Sequence, residues 1–338
     1  MGLTHPEDLD AWRRWHESGH RLRALKGRLR PSGPTTGVLT TAGERPTVLV
    51  AIDSTSPSNV AALLAPLEHL DPATVAVLAP SDVRPLLPAG PWSSRAWTAG
   101  ERLPEVGAAM SAGHYLALGA ASYDLARERG IPFLVSQHGL LTPSGPPLPH
   151  DAHLLAWSQS DAAFWLSGRT DVVTHVVGSA LLWQAAQGAS AGVVDPLATP
   201  TYLGQLHGAE LPRKDLAAAA EAFCRTTGAT YRPHPSERDR ASRRQHEVWE
   251  RAGIHVDHDG GPLSALTTPV VSVFSTGVLE AAARGIPAWV DFPKPPIWLA
   301  EFWTRYRMSP WGSAPTPSPV LAGESPARLV ARLIGDLT

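Results

Sequence analysis

Two series of short apolar runs, each run followed by a longer helical pattern, constrain this chain more than any other feature. In the first series, TVLVAID (47–53), ATVAVLA (73–79), HYLALG (114–119), IPFLVS (131–136) and VVTHVVG (172–178) read as buried strands. Helical patterns such as NVAALLAPLEHL, ASYDLARERG and QSDAAFWLSG lie between them. The series restarts near residue 200, with PTYLGQL, ATYRP, IHVDH, TPVVSVF and IPAWVDF as strands and RKDLAAAAEAFCRTTG, SERDRASRRQHEVWERAG and TGVLEAAARG as helices. Strands spaced by helices of this length predict βαβ units and parallel sheets covered on both faces. A chain of 338 residues, 43% of them hydrophobic, has room for two such domains. The expected architecture is α/β, with two Rossmann-like domains facing across a cleft.

The expected boundaries follow the composition. Residues 1–46 carry a basic amphipathic helix and a turn-rich linker (31–46), 47–190 the first domain and 200–292 the second. Residues 293–338 form a Pro- and Trp-rich tail with a closing helix, and 187–200 is the candidate hinge. The basic helix has two readings. It packs on its own domain with a solvated basic face, or residues 9–30 touch an anionic membrane surface where a polymer- or lipid-linked acceptor resides.

Composition excludes several function classes. A formal charge of −2 argues against a general nucleic-acid binder. The single cysteine, Cys224, leaves no disulfide framework and no Cys-based metal site, and fits a reducing cytoplasm. No apolar signal core or membrane-length run is visible, so a soluble cytoplasmic protein is expected, or one peripheral at the inner membrane face. His150 with His153, and His255 with His258, Asp257 and Asp259, have ligand-like spacing but no fuller ligand set, so no metal is expected.

In open parallel sheets, ligands bind beyond the carboxyl ends of the strands. That rule selects Asp53-Ser54-Thr55 and Gln137-His138-Gly139 in the first half. In the second it selects Gly204 to Gly208 (including Gln205), Arg232 to Ser236, and Phe274 to Gly277 with Glu280 one turn further on. None carries a dinucleotide fingerprint or a P-loop, and no G-x-S-x-G elbow occurs. Ser275-Thr276-Gly277 opens a helix, so free N–H groups, two hydroxyls and the positive dipole end suit a diphosphate, with Glu280 placed for ribose hydroxyls. The same residues also suit an ordinary N-cap with a surface glutamate. In YRPHPSERD, prolines on both sides fix the direction of His234, and Arg232, two residues away, is expected on the same side. A stiff turn is the plainer reading, and Ser236 to Asp239 read as a helix start with solvated charges. His138 ends a buried strand before a glycine; it is either structural or a neutral base for an acceptor hydroxyl.

QHG in the first half, RPHP in the second and the strand–ST–GVLEAAARGIP segment together resemble the GT-B glycosyltransferases. The nearest group is the bacterial transferases with CDP- or CMP-activated donors, including CDP-glycerol glycerophosphotransferases of teichoic acid synthesis and capsule-type transferases with an HP motif. The matching motifs span residues 131–290. The resemblance implies phosphate binding by His234, Ser275 and Thr276 and a base role for His138. It implies a nucleotide-activated donor as substrate, no separate cofactor, and a hydroxyl acceptor in cell-surface polymer synthesis. The expected reaction is an inverting, metal-independent transfer, with Arg232, His234, Ser275, Thr276, Gly277, Glu280, Gly204 and Gln205 on the donor side. Asp53, Ser54 and Gln137 are acceptor-side candidates. Two alternatives stay open: a UDP-N-acetylglucosamine 2-epimerase-like enzyme, with Asp53 and Glu280 as its carboxylates, and a GT-B scaffold without catalysis.

Overall fold

The runs TVLVAID, ATVAVLA and IPFLVS show no polar alternation because both faces of their strands are covered, whereas VVTHVVG, expected to be buried, forms an edge strand with Val173 and Val176 half exposed. The computed structural model describes residues 2–18, 34–188, 194–319 and 323–338. It divides into two units, Met1–Leu181 with Ala322–Thr338, and Leu182–Leu321. Unit 1 begins with helix α1 (Leu9–Ser18) and contains strands β1 (Thr36–Thr41), β2 (Val48–Ala51), β3 (Val75–Ala79), β4 (Ser93–Thr98), β5 (Ala108–Ser111), β6 (Phe133–Ser136), β7 (His153–Ala156) and β8 (Val173–Val176). They form one sheet in the order β4-β1-β3-β2-β5-β6-β7-β8. From β3 to β8 every neighbour is parallel, and β1 and β4 are added antiparallel at one edge.

Side chains alternate between two apolar layers, as a strand requires. Leu49, Ala51, Ala76 and Leu78 face a cluster with Leu118, Leu125, Phe164 and Trp165, contributed by helices α2 (Ala117–Arg129) and α3 (Gln159–Leu166). Val48, Val50, Val75 and Val77 face the opposite cluster with Leu63, Leu64 and Leu67, from the helical stretch Pro57–Asn59, Val60–Leu64 and Ala65–His69.

Three features depart from expectation. HYLALG is not a strand: β5 precedes it as AAMS, whose small residues give little apolar signal, and residues 117–119 open α2. The segment read as a linker holds β1, with Leu39 3% and Thr40 0% exposed. Neither β4 nor β7 stands out in the sequence; β4 is mostly exposed apart from Trp97, and β7 is short. Tyr115 and Ser144 anchor α1 on its own unit through Trp12, whose indole lies edge-on to Tyr115 and donates to the Ser144 carbonyl at 2.8 Å. The remainder of the basic segment, residues 19–30, lies outside the described residues.

Helix α4 (Ala180–Gln187) crosses the boundary into unit 2. There β9 (Thr201–Leu203), β10 (Thr230–Arg232), β11 (Val270–Ser272) and β12 (Ala288–Val290) form a parallel sheet in the order β10-β9-β11-β12. Helices α5 (Arg213–Thr227), α6 (Arg240–Arg251), α7 (Thr276–Ala283) and α8 (Ile297–Arg305) accompany it. IHVDH contributes a single bridge, Val256 to Tyr231, rather than a full strand. The Pro- and Trp-rich tail is not one piece. Residues 293–319 stay with unit 2, where Thr316 donates to the Ala288 carbonyl at 2.9 Å and the Trp289 indole to Ser313 at 2.9 Å. The closing helix α9 (Pro326–Leu337) belongs to unit 1, because Val330 and Ile334 complete the layer over Val48 and Val50. Each such burial contributes roughly 1.5–3 kcal/mol.

Candidate functional site

The carboxyl ends of the strands carry the titratable residues in both units. In unit 2, the 204–208 loop and helix α8 meet at Phe274. Its N–H donates to Gln205 Oε1 at 2.9 Å, and the same oxygen accepts from Ser272 Oγ at 3.1 Å. A Cβ on Gly208 would lie 3.7 Å from the Phe274 ring. On its other side the ring meets Trp298 and Phe302 edge to face, with centroids 5.9 and 6.1 Å away. Gln205 therefore holds the end of β9 to the end of β11, and its carbonyl oxygen is committed to that task.

Immediately after Phe274, Ser275 caps α7, its hydroxyl accepting from Gly277 N–H at 3.1 Å. Gly277 is buried, and a Cβ there would lie 2.6 Å from a Leu203 methyl, so glycine is what lets the helix start against β9. Among the described residues no protein acceptor meets the Thr276 N–H or its hydroxyl. Glu280 is partly buried, and burial raises its carboxyl pKa against the opposing influence of Arg284.

His234 is exposed, with its ring stacked on His207 at 3.8 Å between centroids and 19° between planes. Its Nδ1 accepts from Ser236 N–H at 3.1 Å, which assigns the remaining proton to Nε2. Desolvation within this stack, together with the His207 ring and against the pull of Glu237, lowers its pKa to about 4. At neutral pH it is an uncharged imidazole with one donor to offer. Arg232 does not join it. Its guanidinium donates to the Gly261 carbonyl, and a Cβ on Gly260 would lie 2.8 Å from Arg232 Nε and 2.9 Å from Asp257 Oδ2. The strand ends at Arg232, so the two-residue alternation that was to align the pair stops before His234.

Glu237 is the exception to the reading of Ser236 to Asp239 as a helix start with solvated charges: Ser236, Arg238 and Asp239 are exposed. Asp239 does cap α6, accepting from Ala241 and Ser242 N–H at 2.9 and 3.0 Å. Glu237, however, is 4% exposed. It accepts from Tyr231 Oη at 2.9 Å and Leu206 N–H at 2.9 Å, and lies 3.0 Å from His246 Nε2. Burial raises its pKa, but the hydrogen bonds outweigh burial and hold it near 2. His207 Nδ1 approaches only to 4.0 Å, beyond hydrogen-bond range. Gly204 exists for this network: a Cβ there would lie 2.2 Å from Tyr231 Oη and 2.7 Å from Glu237 Oε1. Glu237 thus ties the GQLHG and RPHP loops together. No local sequence signal marks it, since Tyr231, Leu206 and His246 come from three different elements.

In unit 1, His138 follows β6 and is partly buried, its Nδ1 enclosed without a partner among the described residues. Burial pushes its pKa below 6.5, leaving a neutral ring. Gln137 is engaged within its own unit. It is 2% exposed, donates to Gly139 O at 3.0 Å, accepts from Trp157 N–H at 2.8 Å, and its carbonyl takes the Trp157 indole at 2.8 Å. These bonds fix the strand end that presents His138. Asp53 is also committed, its two oxygens accepting from Leu118 and Gly119 N–H at 2.8 and 2.9 Å. It serves as the cap that Leu116, at the N-cap position of α2, cannot provide. Burial nevertheless raises its pKa. Asp53→Ala is expected to cost about 1 kcal/mol of stability, read by thermal unfolding. Ser54 is exposed, and its hydroxyl accepts from Ser56 N–H at 3.3 Å.

The sequence reading missed His114, which follows β5 next to β6. Burial lowers its pKa to about 4, aided by Arg13, Arg169 and His150, and its Nδ1 is enclosed without a partner. Its ring meets Tyr123 edge to face, which turns it toward α2. A cavity of about 1200 Å³ lies at the opposite, amino ends of β2 and β5, lined by residues including Arg45, Arg95, Arg102 and Glu105. Arg95 pairs with Glu101 at 3.2 Å and Arg102 with Glu105. Among the described residues, no group of three or more His, Cys, Asp or Glu is placed to hold a metal ion, and no helix is long and apolar enough to cross a membrane.

No protein-family model and no curated protein sequence matches the chain. Among solved structures, it is similar to the UDP-GlcNAc 2-epimerase from Methanocaldococcus jannaschii, at 12% identity and a TM-score of 0.48, over 85% of this chain and 99% of that one. It is similar to the UDP-N-acetylglucosamine 2-epimerase from Rickettsia bellii, at 10% identity and a TM-score of 0.47, over 86% and 95% of the two chains. The glycotransferase of kitacinnamycin aligns at 14% identity and a TM-score of 0.44, over 87% and 94%. The chain is an α/β protein of two units, each built on a sheet with parallel strands and each with histidines at the carboxyl ends of those strands.

Proposed function

We propose that the protein is a transferase that moves a group from a nucleotide-activated donor to a hydroxyl acceptor, with unit 2 holding the donor and unit 1 supplying the base. The observation that carries this reading is the convergence on Phe274, which sets the open N-terminus of α7 among rigidly tied loops on the same sheet edge as His234. Thr276 N–H and hydroxyl and His234 Nε2–H are preorganised donors for phosphate oxygens, and such donors stabilise charge that develops on a leaving nucleotide. His138, neutral at pH 7, takes the proton of the acceptor hydroxyl as its oxygen attacks the donor and the nucleotide departs. Arg232, Gln205, Gly204 and Glu237 act through the loops they brace. A CDP- or CMP-activated donor and an acceptor in cell-surface polymer synthesis are the finer form of this proposal, drawn from the motif resemblance.

A 2-epimerase-like reaction needs acid/base carboxylates. Asp53 has both oxygens bound to α2, which leaves Glu280 without its expected partner.

A thermal-shift series with CDP, CMP, UDP, GDP and ADP tests the donor site, since a ligand of the folded state raises the melting temperature by mass action. At least one nucleotide should stabilise the protein. His234→Ala should weaken that nucleotide about tenfold by calorimetry, on the order of one hydrogen bond to a charged group. An unchanged affinity removes His234 from the phosphate site.

A further inference from the structure

The donor site proposed above would receive a multiply charged phosphate group, and its inventory of free cations is short. His234 is an exposed, uncharged ring. Arg232 is drawn to the 257–261 turn, donating to Gly261 O with Asp257 beside it. Arg284 donates to the carbonyls of Leu263 and Leu266 at 2.9 and 3.1 Å. None of these leaves a full positive charge unengaged at the start of α7.

Lys294 does. It lies in the loop leaving β12, the strand beside β11, and Asp291 N–H donates to Ser272 O at 2.9 Å. The 291–296 loop and Ser275-Thr276 therefore leave the same edge of the sheet on neighbouring strands. The helix that this loop feeds is fastened there too. In α8 the Trp303 indole donates to the Val273 carbonyl at 2.7 Å, and Trp298 packs on Phe274.

The backbone at Lys294 is unusual. It sits at φ 52°, in the left-handed region, between Pro293 and Pro295. A lysine has no intrinsic preference for that region, and the following proline restricts it further. Ser167, also left-handed, closes α3 as its C-cap, and Arg307 lies two residues past α8. Lys294 closes no helix. Its side chain is exposed, and no carboxylate among the described residues pairs with it.

We infer that Lys294 is a specificity-determining residue of the donor site, a cation held out by a proline-fixed loop to meet the phosphate charge of a nucleoside diphosphate. This rests on the donor-site reading and adds a residue from a segment that the motifs do not cover.

The test is calorimetric titration with CDP and UDP at low and high ionic strength, on the wild type and on Lys294→Ala, Lys294→Arg, Lys294→Gly and His234→Ala. Lys294→Ala should weaken the better ligand about tenfold at low salt, a typical loss for one charge-assisted contact. The loss should shrink at high salt, where an exposed charge is screened. Lys294→Arg should restore most of the affinity. Lys294→Gly, which relaxes the backbone but removes the charge, should behave as Lys294→Ala. Nucleotide binding that His234→Ala weakens and Lys294→Ala does not would overturn this inference and leave the donor site standing. A loss independent of salt and not rescued by arginine would overturn it equally. If none of the five nucleotides of the thermal-shift series binds the wild type, the donor-site reading falls, and the role of Lys294 with it.

Discussion

His138→Ala lowers turnover by about 10²- to 10⁴-fold, the usual contribution of a positioned general base, while nucleotide affinity stays within twofold of wild type. The expectation rests on where the ring sits and which form it takes. Gln137 and Trp157 lock the end of β6 through three hydrogen bonds, so the residue that follows has little freedom to turn away. Burial keeps the imidazole neutral, with its pKa below 6.5. A base must be unprotonated to act, so the acidic limb of the pH–rate profile lies below the position of an unperturbed histidine, and the rate is flat from there through neutrality. Both parts are measurable with one assay of product formation over pH and one titration of donor nucleotide. A large loss of nucleotide affinity in His138→Ala would place the ring in the donor site. An unchanged rate would leave it structural.

The sequence carried the layering of this protein well and its side-chain commitments poorly. Strand runs such as TVLVAID and TPVVSVF were legible because burial on both faces demands unbroken apolar residues. β5 was not, since AAMS meets the same demand mostly with small side chains, and the longer apolar run HYLALG beside it gives the stronger strand signal. The helix start at Ser275-Thr276 was legible from the cap chemistry alone. What could not be read was which polar groups are already used. Asp53, Gln137, Gln205 and Arg232 all stand at strand ends, where ligands bind, and each bonds to backbone of its own unit instead. The carboxyl edge of a sheet must satisfy its own loops before it can bind anything, and those partners lie as much as 69 residues away in the chain. His138, His234 and Thr276 remain candidates because their donor or acceptor atoms stay uncommitted.

Glu237→Ala is the substitution expected to cost most stability, about 3–5 kcal/mol, as for removal of one partner from a buried charged network. The carboxylate is 4% exposed and serves Tyr231 Oη, Leu206 N–H and His246 at once. Deleting it leaves buried polar groups unpaired on three elements, each costing about 1–3 kcal/mol before relaxation. Nucleotide affinity should fall with stability, because the GQLHG and RPHP loops lose their common anchor. The pH dependence gives an independent check. The folded-state pKa of Glu237 is depressed from 4.5 to about 2, so its stabilising contribution is complete above pH 4.5 and is lost as pH falls toward 2. Glu237→Gln, which keeps the shape and removes the charge, should therefore be less stable than wild type at pH 7. The two unfolding midpoints should converge as the pH is lowered through that window. Equal midpoints at pH 7, or a gap that persists unchanged at the acid end, would show that the carboxylate's charge is not what holds the two loops together.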